Sequence, residues 1–522
     1  MHRTRPFVRL GHTPGHCRPP ADPSRRSVLA LAASAIALPG CTAISRGADV
    51  SRFDLGIASG RPRATGMVLW TRLTGPTLPE RVDVRWELAR DERFTDIAAR
   101  GNEVAVAADA HSVHAEPAGL EPAHRYWYRF EALGQRSATG RTQTAPAPDA
   151  AVSLRFAIAS CQRYDHGQYA AWRHMAGEDL DLVLFLGDYI YEYASPPGAL
   201  RAHVGGPVRT LEQYRARYAQ YKSDPALQAA HAAFPWLAVW DDHEVDNDYA
   251  GLQGQALQGD FAAQRAAAYQ AYWEHMPFPK AARPKGPDMR IVDRLDWGRL
   301  ARIHALDDRQ YRDPQACPRP GRGGSNTVRL KDCPDLLDPR RSLLGMEQER
   351  WLADGWSLDR PWNLLAQQTL MARFSWGAGD DARYWTDGWD GYAPSRNRLL
   401  QGVRDRRVPG VVALGGDVHA NYVADLKADY DDERSPVVAS EFCGTSISSK
   451  GLAQERIAAA LPFNPHLHLG RGDQRGYVAF DLDARALQAR LMVVAQPEDA
   501  RSPVEVAAHF VVEAGKPGPR LA

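Results

Sequence analysis

The sequence predicts an α/β protein that carries a β-sandwich on its N-terminal side, and three observations lead there. The run Leu182-Val183-Leu184-Phe185-Leu186 is continuously apolar and stops at Gly187 and Asp188, as a strand covered on both faces does. Beyond Val152 such strands alternate with helical segments, the pattern of parallel βαβ units. Between Phe53 and about Thr144, by contrast, short runs alternate apolar and polar residues between turn signals, which is the pattern of a β-sandwich. At 522 residues the chain is too long for one ordinary core, so several units are expected.

Taken in order, Ser24-Arg25-Arg26-Ser27-Val28-Leu29 and the Ala-rich apolar stretch to Leu38 have the basic and short hydrophobic regions of a signal peptide, not the length of a membrane span. Residues 1–45 therefore read as a twin-arginine export signal, handled by the twin-arginine translocase and delivering a periplasmic or secreted protein with no transmembrane helix in its mature part. Leu38-Pro39-Gly40-Cys41 resembles a lipobox, which makes Cys41 a candidate lipid anchor, with simple cleavage nearby as the alternative. Residues 50–145 form the sandwich, with strands at Gly66–Leu73, Val82–Leu88 and Arg125–Ala132. Leu120-Glu121-Pro122 leading into Tyr126-Trp127-Tyr128 resembles a fibronectin type III-like domain, a scaffold or docking module. Thr144-Ala145-Pro146-Ala147-Pro148 is a stiff linker, and residues 151–515 make the main domain. Its strands are expected at Leu154–Ser160, Leu182–Gly187, Phe234–Trp240 and Val411–Gly415. Helices are expected at Tyr169–Glu178, Leu211–Tyr221 and Asp260–His275, and residues 312–342, rich in Gly, Pro, Asp and Arg, read as a surface insertion.

The charge balance excludes one class of partner. The chain has 64 basic and 63 acidic residues, and residues 1–40 hold six Arg and one Asp, so the remainder is mildly acidic and a nucleic-acid scaffold role is not indicated. Of six cysteines, Cys17 and Cys41 belong to the signal, and Cys317 and Cys333 flank a Gly-rich stretch where a disulfide can close outside the cytoplasm. Cys161 and Cys443 remain unpaired. Metal ligation is one reason for a free thiol in an exported protein.

Four strand ends carry the chemistry: Ser160-Cys161-Gln162, Gly187-Asp188-Tyr189-Ile190-Tyr191, Trp240-Asp241-Asp242-His243-Glu244 and Gly416-Asp417-Val418-His419. Each sets metal-capable side chains where a hydrophobic strand stops, and ligands gathered from several strand ends are how a rigid sheet fixes a bimetallic site. In this order the segments resemble the calcineurin-like metallophosphoesterases, and more closely the PhoD family of exported alkaline phosphatases. Further matches are Ala58-Ser59-Gly60, Tyr221-Lys222-Ser223-Asp224-Pro225, Leu306-Asp307-Asp308-Arg309-Gln310-Tyr311-Arg312, Asp387-Gly388-Trp389-Asp390-Gly391-Tyr392 and Gly444-Thr445-Ser446-Ile447. The likeness runs from about Phe53 to about Ser448. It departs at Gly60-Arg61-Pro62, where that family usually has Asp after the Gly.

The resemblance implies a four-layer αββα metallophosphoesterase sandwich and a ferric ion held by Cys161, Asp188, Tyr191 and His419. Thiolate and phenolate bind as anions only to a strong Lewis acid, which agrees with Fe(3+). Asp188 would bridge to a second position made of Asp242, Asp417 and, from the later acids of the run, Asp248. Oxygen ligands favour Ca(2+) there, with Mn or Mg as lesser alternatives. Tyr189 and Tyr193 are expected to pack, Cys443 to be a small buried group, and His231, His275 and His304 to be structural. His243 is the candidate catalytic residue, protonating the leaving oxygen or holding the phosphate. The expected reaction is hydrolysis of phosphate mono- and diesters, with small esters, phospholipid or wall phosphodiesters as substrates. A phospholipase D or other phosphodiesterase on the same metals is the alternative, and a cell-surface binding protein with an inactive site is the alternative of another class.

Overall fold

A computed structural model describes residues 51–522 apart from Gln258 and Glu433; the segment expected to be an export signal, with Cys17 and Cys41, lies outside the described residues. The described residues form one compact unit. Among the described residues no helix is long and apolar enough to cross a membrane.

Two large sheets face each other. At the middle of the first, Leu154–Ala159, Leu182–Phe185 and Pro235–Ala238 run parallel, with Leu184 beside Ile158 on one flank and Leu237 on the other. Apart from Arg155 these strands are buried, which is why the sequence reads as nearly unbroken apolar runs. The second sheet has seven strands, four of them (Ala301–Ala305, Trp362–Ala366, Val411–Gly415 and Val437–Cys443) parallel neighbours. Here the two-residue period of a strand divides two cores. Val412 and Leu414 point into the core shared with the first sheet, and Val411 and Ala413 into a second core beneath the helices Gly345–Asp354 and Ala393–Arg406. On the outer side of the first sheet pack Ala170–Met175, Leu211–Lys222, Pro225–Ala233 and Phe261–His275, which completes an αββα order.

The helices start where the sequence supplies caps. Thr210 accepts from the Gln213 amide while the Gln213 side chain returns to the Thr210 amide, and Asp224 accepts from Ala226 and Leu227 just before Pro225. The helix expected at Tyr169–Glu178 is shorter, Ala170–Met175, because its end tightens into turns in which Gly177 N bonds the His174 carbonyl and Glu178 N the Met175 carbonyl.

The N-terminal strands form two layers. Arg81–Ala89, Ile97–Val106, Arg125–Ala132, Gln135–Arg136 and Gly140–Gln143 make one sheet, and Val84, Leu88, Tyr126, Tyr128 and Phe130 fill the core beneath it. The opposite layer is not separate. Ile57–Arg63, Gly66–Arg72 and Ser112–Ala115 continue the first large sheet, with Ser59 and Gly60 paired in parallel to Pro235 and Trp236. The tail beyond Gly476 extends the other edge of the same sheet by four antiparallel strands, beginning with Gly476–Leu482 against Leu154–Ala159. Cys317 and Cys333 are disulfide-bonded. The stretch 312–342 does more than cross the surface: Arg312, Gln315, Cys333 and Leu336 are buried, and Thr327–Arg329 pairs with Arg383–Trp385 as a two-stranded ribbon.

Candidate metal centre

The strand ends of both sheets open onto one cleft of about 1240 Å³. The backbone turns sharply as it arrives. Cys161, Asp188, Asp248, Asp417 and His419 all take left-handed φ values of 53° to 64°, which non-glycine residues adopt only where the surroundings impose them. Gly187 (φ 105°) sits so close to the next strand end that a Cβ would overlap Asp241. Glu244 ties the two ends together by accepting from the amides of Asp188 (3.0 Å), Tyr189 (2.6 Å) and Asp241 (3.0 Å).

The residues expected at the iron position converge. Ligand atoms of Cys161, Asp188 and His419 lie within 4.8 Å of one another. The Tyr191 hydroxyl donates to Asp188 Oδ2 (2.7 Å) and lies 3.1 Å from His419 Nε2 and 2.8 Å from the Ser449 hydroxyl. The acids form three adjoining groups: Asp188, Asp242 and His243; Asp241, Asp242 and Asp417; Asp242, Asp248 and Asp387. Asp242 is common to all three and is oriented by the amides of His243 (3.0 Å) and Asp248 (2.6 Å).

This donor set fits cations. Burial pushes the Cys161 thiol and the Tyr191 phenol up, and the Asp188 charge adds to both. Burial likewise pushes Asp241 and Asp417 well above the carboxylate range, with Arg309 opposing only in part. Asp188 Oδ1, Asp241 Oδ2 and Asp417 Oδ2 are buried without a hydrogen-bond partner. Acids arranged this way need a positive charge among them to stay ionised.

His243 stands beside the acids, its ring 4.1 Å from that of Tyr191 and its Nδ1 2.7 Å from Glu192 Oε2. Burial disfavours its charge, but Glu192, Asp188 and Asp242 outweigh burial and hold the imidazolium. Nε2 is left to the cleft that His243 lines.

Every residue expected at the two metal positions, and His243, is therefore in one place. Tyr189 and Tyr193 pack as expected: Tyr189 bonds His231 (2.9 Å), and Tyr193 meets His243 edge-on. Cys443 is a free, buried thiol 3.2 Å from the Gly416 carbonyl. Two arginines nearby are held by acids of their own, Arg163 by Asp165 (2.7 Å) and Arg396 by Asp390 (2.7 Å).

Three contributors were not anticipated. Asp387 joins Asp242 and Asp248 and is held by Arg309 (2.6 Å), Gln315 (2.6 Å) and Arg312. Arg309 lies under the acids, bonded to Asp241 and within 3.8 Å of Asp242 and 3.7 Å of Asp417. Glu192 anchors His243. The signal for the first two was the acid and arginine content of the 306–312 and 387–392 segments. The 312–342 stretch also reaches in, through Ser325 N to Asp248 Oδ2 (2.8 Å) and Gln315 Nε2 to the Asp248 carbonyl (2.7 Å).

Comparison with known proteins identifies the family and the fold. The family model described as PhoD-like phosphatase matches residues 156–491, and the one described as PhoD-like phosphatase, N-terminal domain, matches residues 40–146. Alkaline phosphatase D of Bacillus subtilis (strain 168) is 42% identical over 487 residues, covering 90% of this chain and 82% of that protein. A solved structure of PhoD superposes with a TM-score of 0.86 at 41% identity, covering 90% of this chain and 92% of that one. A purple acid phosphatase from yellow lupin (Lupinus luteus) seeds shares the fold at a TM-score of 0.54 and 12% identity, covering 88% and 74%.

Proposed function

The chain belongs to the PhoD-like phosphatase family and is a phosphatase, and from that premise we propose an exported alkaline phosphatase that cleaves phosphate mono- and diesters at a mixed Fe(3+)/Ca(2+) centre. The observation that carries the metal reading is the meeting of Cys161, Asp188, Tyr191 and His419, residues brought from both sheets. In this reading those four would hold Fe(3+), and Asp242, Asp248 and Asp417 would hold Ca(2+), with Asp387 beside them and Asp188 common to the two groups. Bound there, the cations neutralise phosphoryl oxygens and make water nucleophilic near neutral pH.

The chain's own residues supply the rest. Glu192 accepts from His243 Nδ1, fixing the ring so that Nε2–H points to the cleft and can donate to the leaving oxygen. Glu244 and Arg309 keep the strand ends and acids in register before substrate arrives. The size of the cleft favours diesters beside monoesters as substrates. A phospholipid headgroup remains one such diester, and the binding-protein alternative is set aside by the phosphatase family.

Elemental analysis of purified protein, together with its visible spectrum, tests the reading. Iron, calcium and a phenolate-to-iron absorption band that disappears in Tyr191→Phe are expected. Protein without iron, or full activity in Cys161→Ser, overturns it.

A further inference from the structure

The acids occupy only the inner end of the cleft. A phosphate and a small alcohol need on the order of a tenth of a ~1000 Å³ site, so the outer half needs its own occupant. Its wall is aromatic: Phe374 meets Trp376 edge-on at 4.7 Å, and Trp385 and Phe463 complete it. Trp376 and Trp385 are half-buried, and unlike Trp389, whose indole donates to Gln367 (3.1 Å), neither donates a hydrogen bond from its indole to any described residue. The ribbon that carries Trp385 is firmly held, with Trp385 opposite Thr327 and Asn326 bonded in both directions to Thr386 (2.9 Å each way).

Cations surround these rings. Arg456 lies 5.6 Å from the Trp376 ring centre, and Arg383 and Lys450 line the same mouth; among the described residues none of the three side chains makes an ion pair. The carboxylates nearby are already engaged, Asp390 with Arg396 and Asp381 near Arg329 (3.9 Å). Half-buried indoles with free donors, beside unpaired cations, match a planar heteroaromatic group carrying negative charge. They do not match an acyl chain, which offers indole N–H no acceptor.

Resting on the phosphodiester reading above, we propose that the outer cleft is a subsite for nucleoside esters: Trp376 and Trp385 take the base, and Arg456, with Lys450, takes the next phosphate. The preferred diester is then a nucleotide.

Two esters with one leaving group test this, thymidine 5′-(4-nitrophenyl phosphate) and methyl 4-nitrophenyl phosphate. The expected result is a kcat/KM ratio of about tenfold or more for the thymidine ester, falling toward one in Trp376→Ala and Trp385→Ala. A 3′-phosphate on the thymidine lowers KM further, and Arg456→Glu removes that gain. A ratio near one, a ratio unchanged in both variants, or a larger preference for 4-nitrophenylphosphorylcholine overturns the subsite. Binding gives a readout apart from turnover, because thymidine 5′-phosphate is expected to quench tryptophan fluorescence in the wild type and not in the Trp376→Phe/Trp385→Phe double variant. Quenching without turnover of any ester sinks the proposed function and leaves the subsite standing. Normal turnover without quenching does the reverse.

Discussion

His243 is gripped at one nitrogen by Glu192 and offers the other to the cleft, so its two neighbours in any variant series should behave differently. His243→Gln is expected to lower kcat by about 10²- to 10³-fold, most for esters of poorly acidic alcohols, because those need the proton most. Glu192→Gln, which leaves the ring in place with a weaker anchor, is expected to cost about tenfold. A flat dependence on leaving-group pKa in His243→Gln would remove the proton-donor role. At the second position, Asp387→Asn is expected to lower the calcium retained after dialysis while iron stays bound, read by elemental analysis. The ligand candidates at strand ends were legible because each follows an apolar run. Asp387 was not, since it follows a three-residue ribbon strand, and Glu192 was not, since its partner is 51 residues away. Arg309 was hidden differently: a fully buried arginine is rare unless paired, and its carboxylate partners come from three other segments.

Elements set the precision of the site. The strand ending at Gly187 passes Asp241 with no room for a side chain, and its φ of 105° suits only glycine. Gly187→Ala should therefore disturb Asp188 and Asp241 together, lowering both melting temperature and iron content. A variant with unchanged metal content would show that the crossing is not what positions them. The disulfide has the same standing for the other side of the cleft. It joins cysteines 16 positions apart across a loop that carries Ser325 to Asp248, and Asn326 inside that loop bonds the Cys317 carbonyl (3.0 Å). Reduction, or the Cys317→Ser/Cys333→Ser pair, is expected to cost about 3 kcal/mol, with a denaturation midpoint to match, and to raise the calcium concentration needed for half-maximal activity. The sequence showed the two cysteines and the flexible composition between them. It did not show that this loop turns inward, because the contact is made by a backbone amide, which any residue possesses.

Across the whole molecule, several histidines outside the metal-centre groups are buried neutral. Burial brings His114 and His304 down to about 3, and His466 to about 4. In the unfolded chain each titrates near ~6.5, so the unfolded state binds more protons between those limits. The stability each histidine permits is complete above pH ~6.5 and is lost as pH falls toward the folded value. Relative to His304→Phe, the wild type should therefore lose melting temperature progressively from pH ~6.5 down to about 3. A pH-independent difference would reject the assignment. Strand positions were readable from periodicity at this scale, since Arg125–Ala132 is found as expected and Leu154–Ala159 ends one residue early. Partners were not, because a two-residue period says which side chain faces inward and nothing about which backbone lies alongside. The pairing of Ile57–Arg63 with Pro235–Ala238 is the case that matters most. The proline-rich linker divides the chain's covalent connectivity but not its hydrogen-bonded fabric. A fragment started at residue 151 would bare the flank of Pro235–Ala238, a row of unmet amides and carbonyls that fits any other strand, so such a preparation should self-associate through that margin instead of yielding a smaller enzyme.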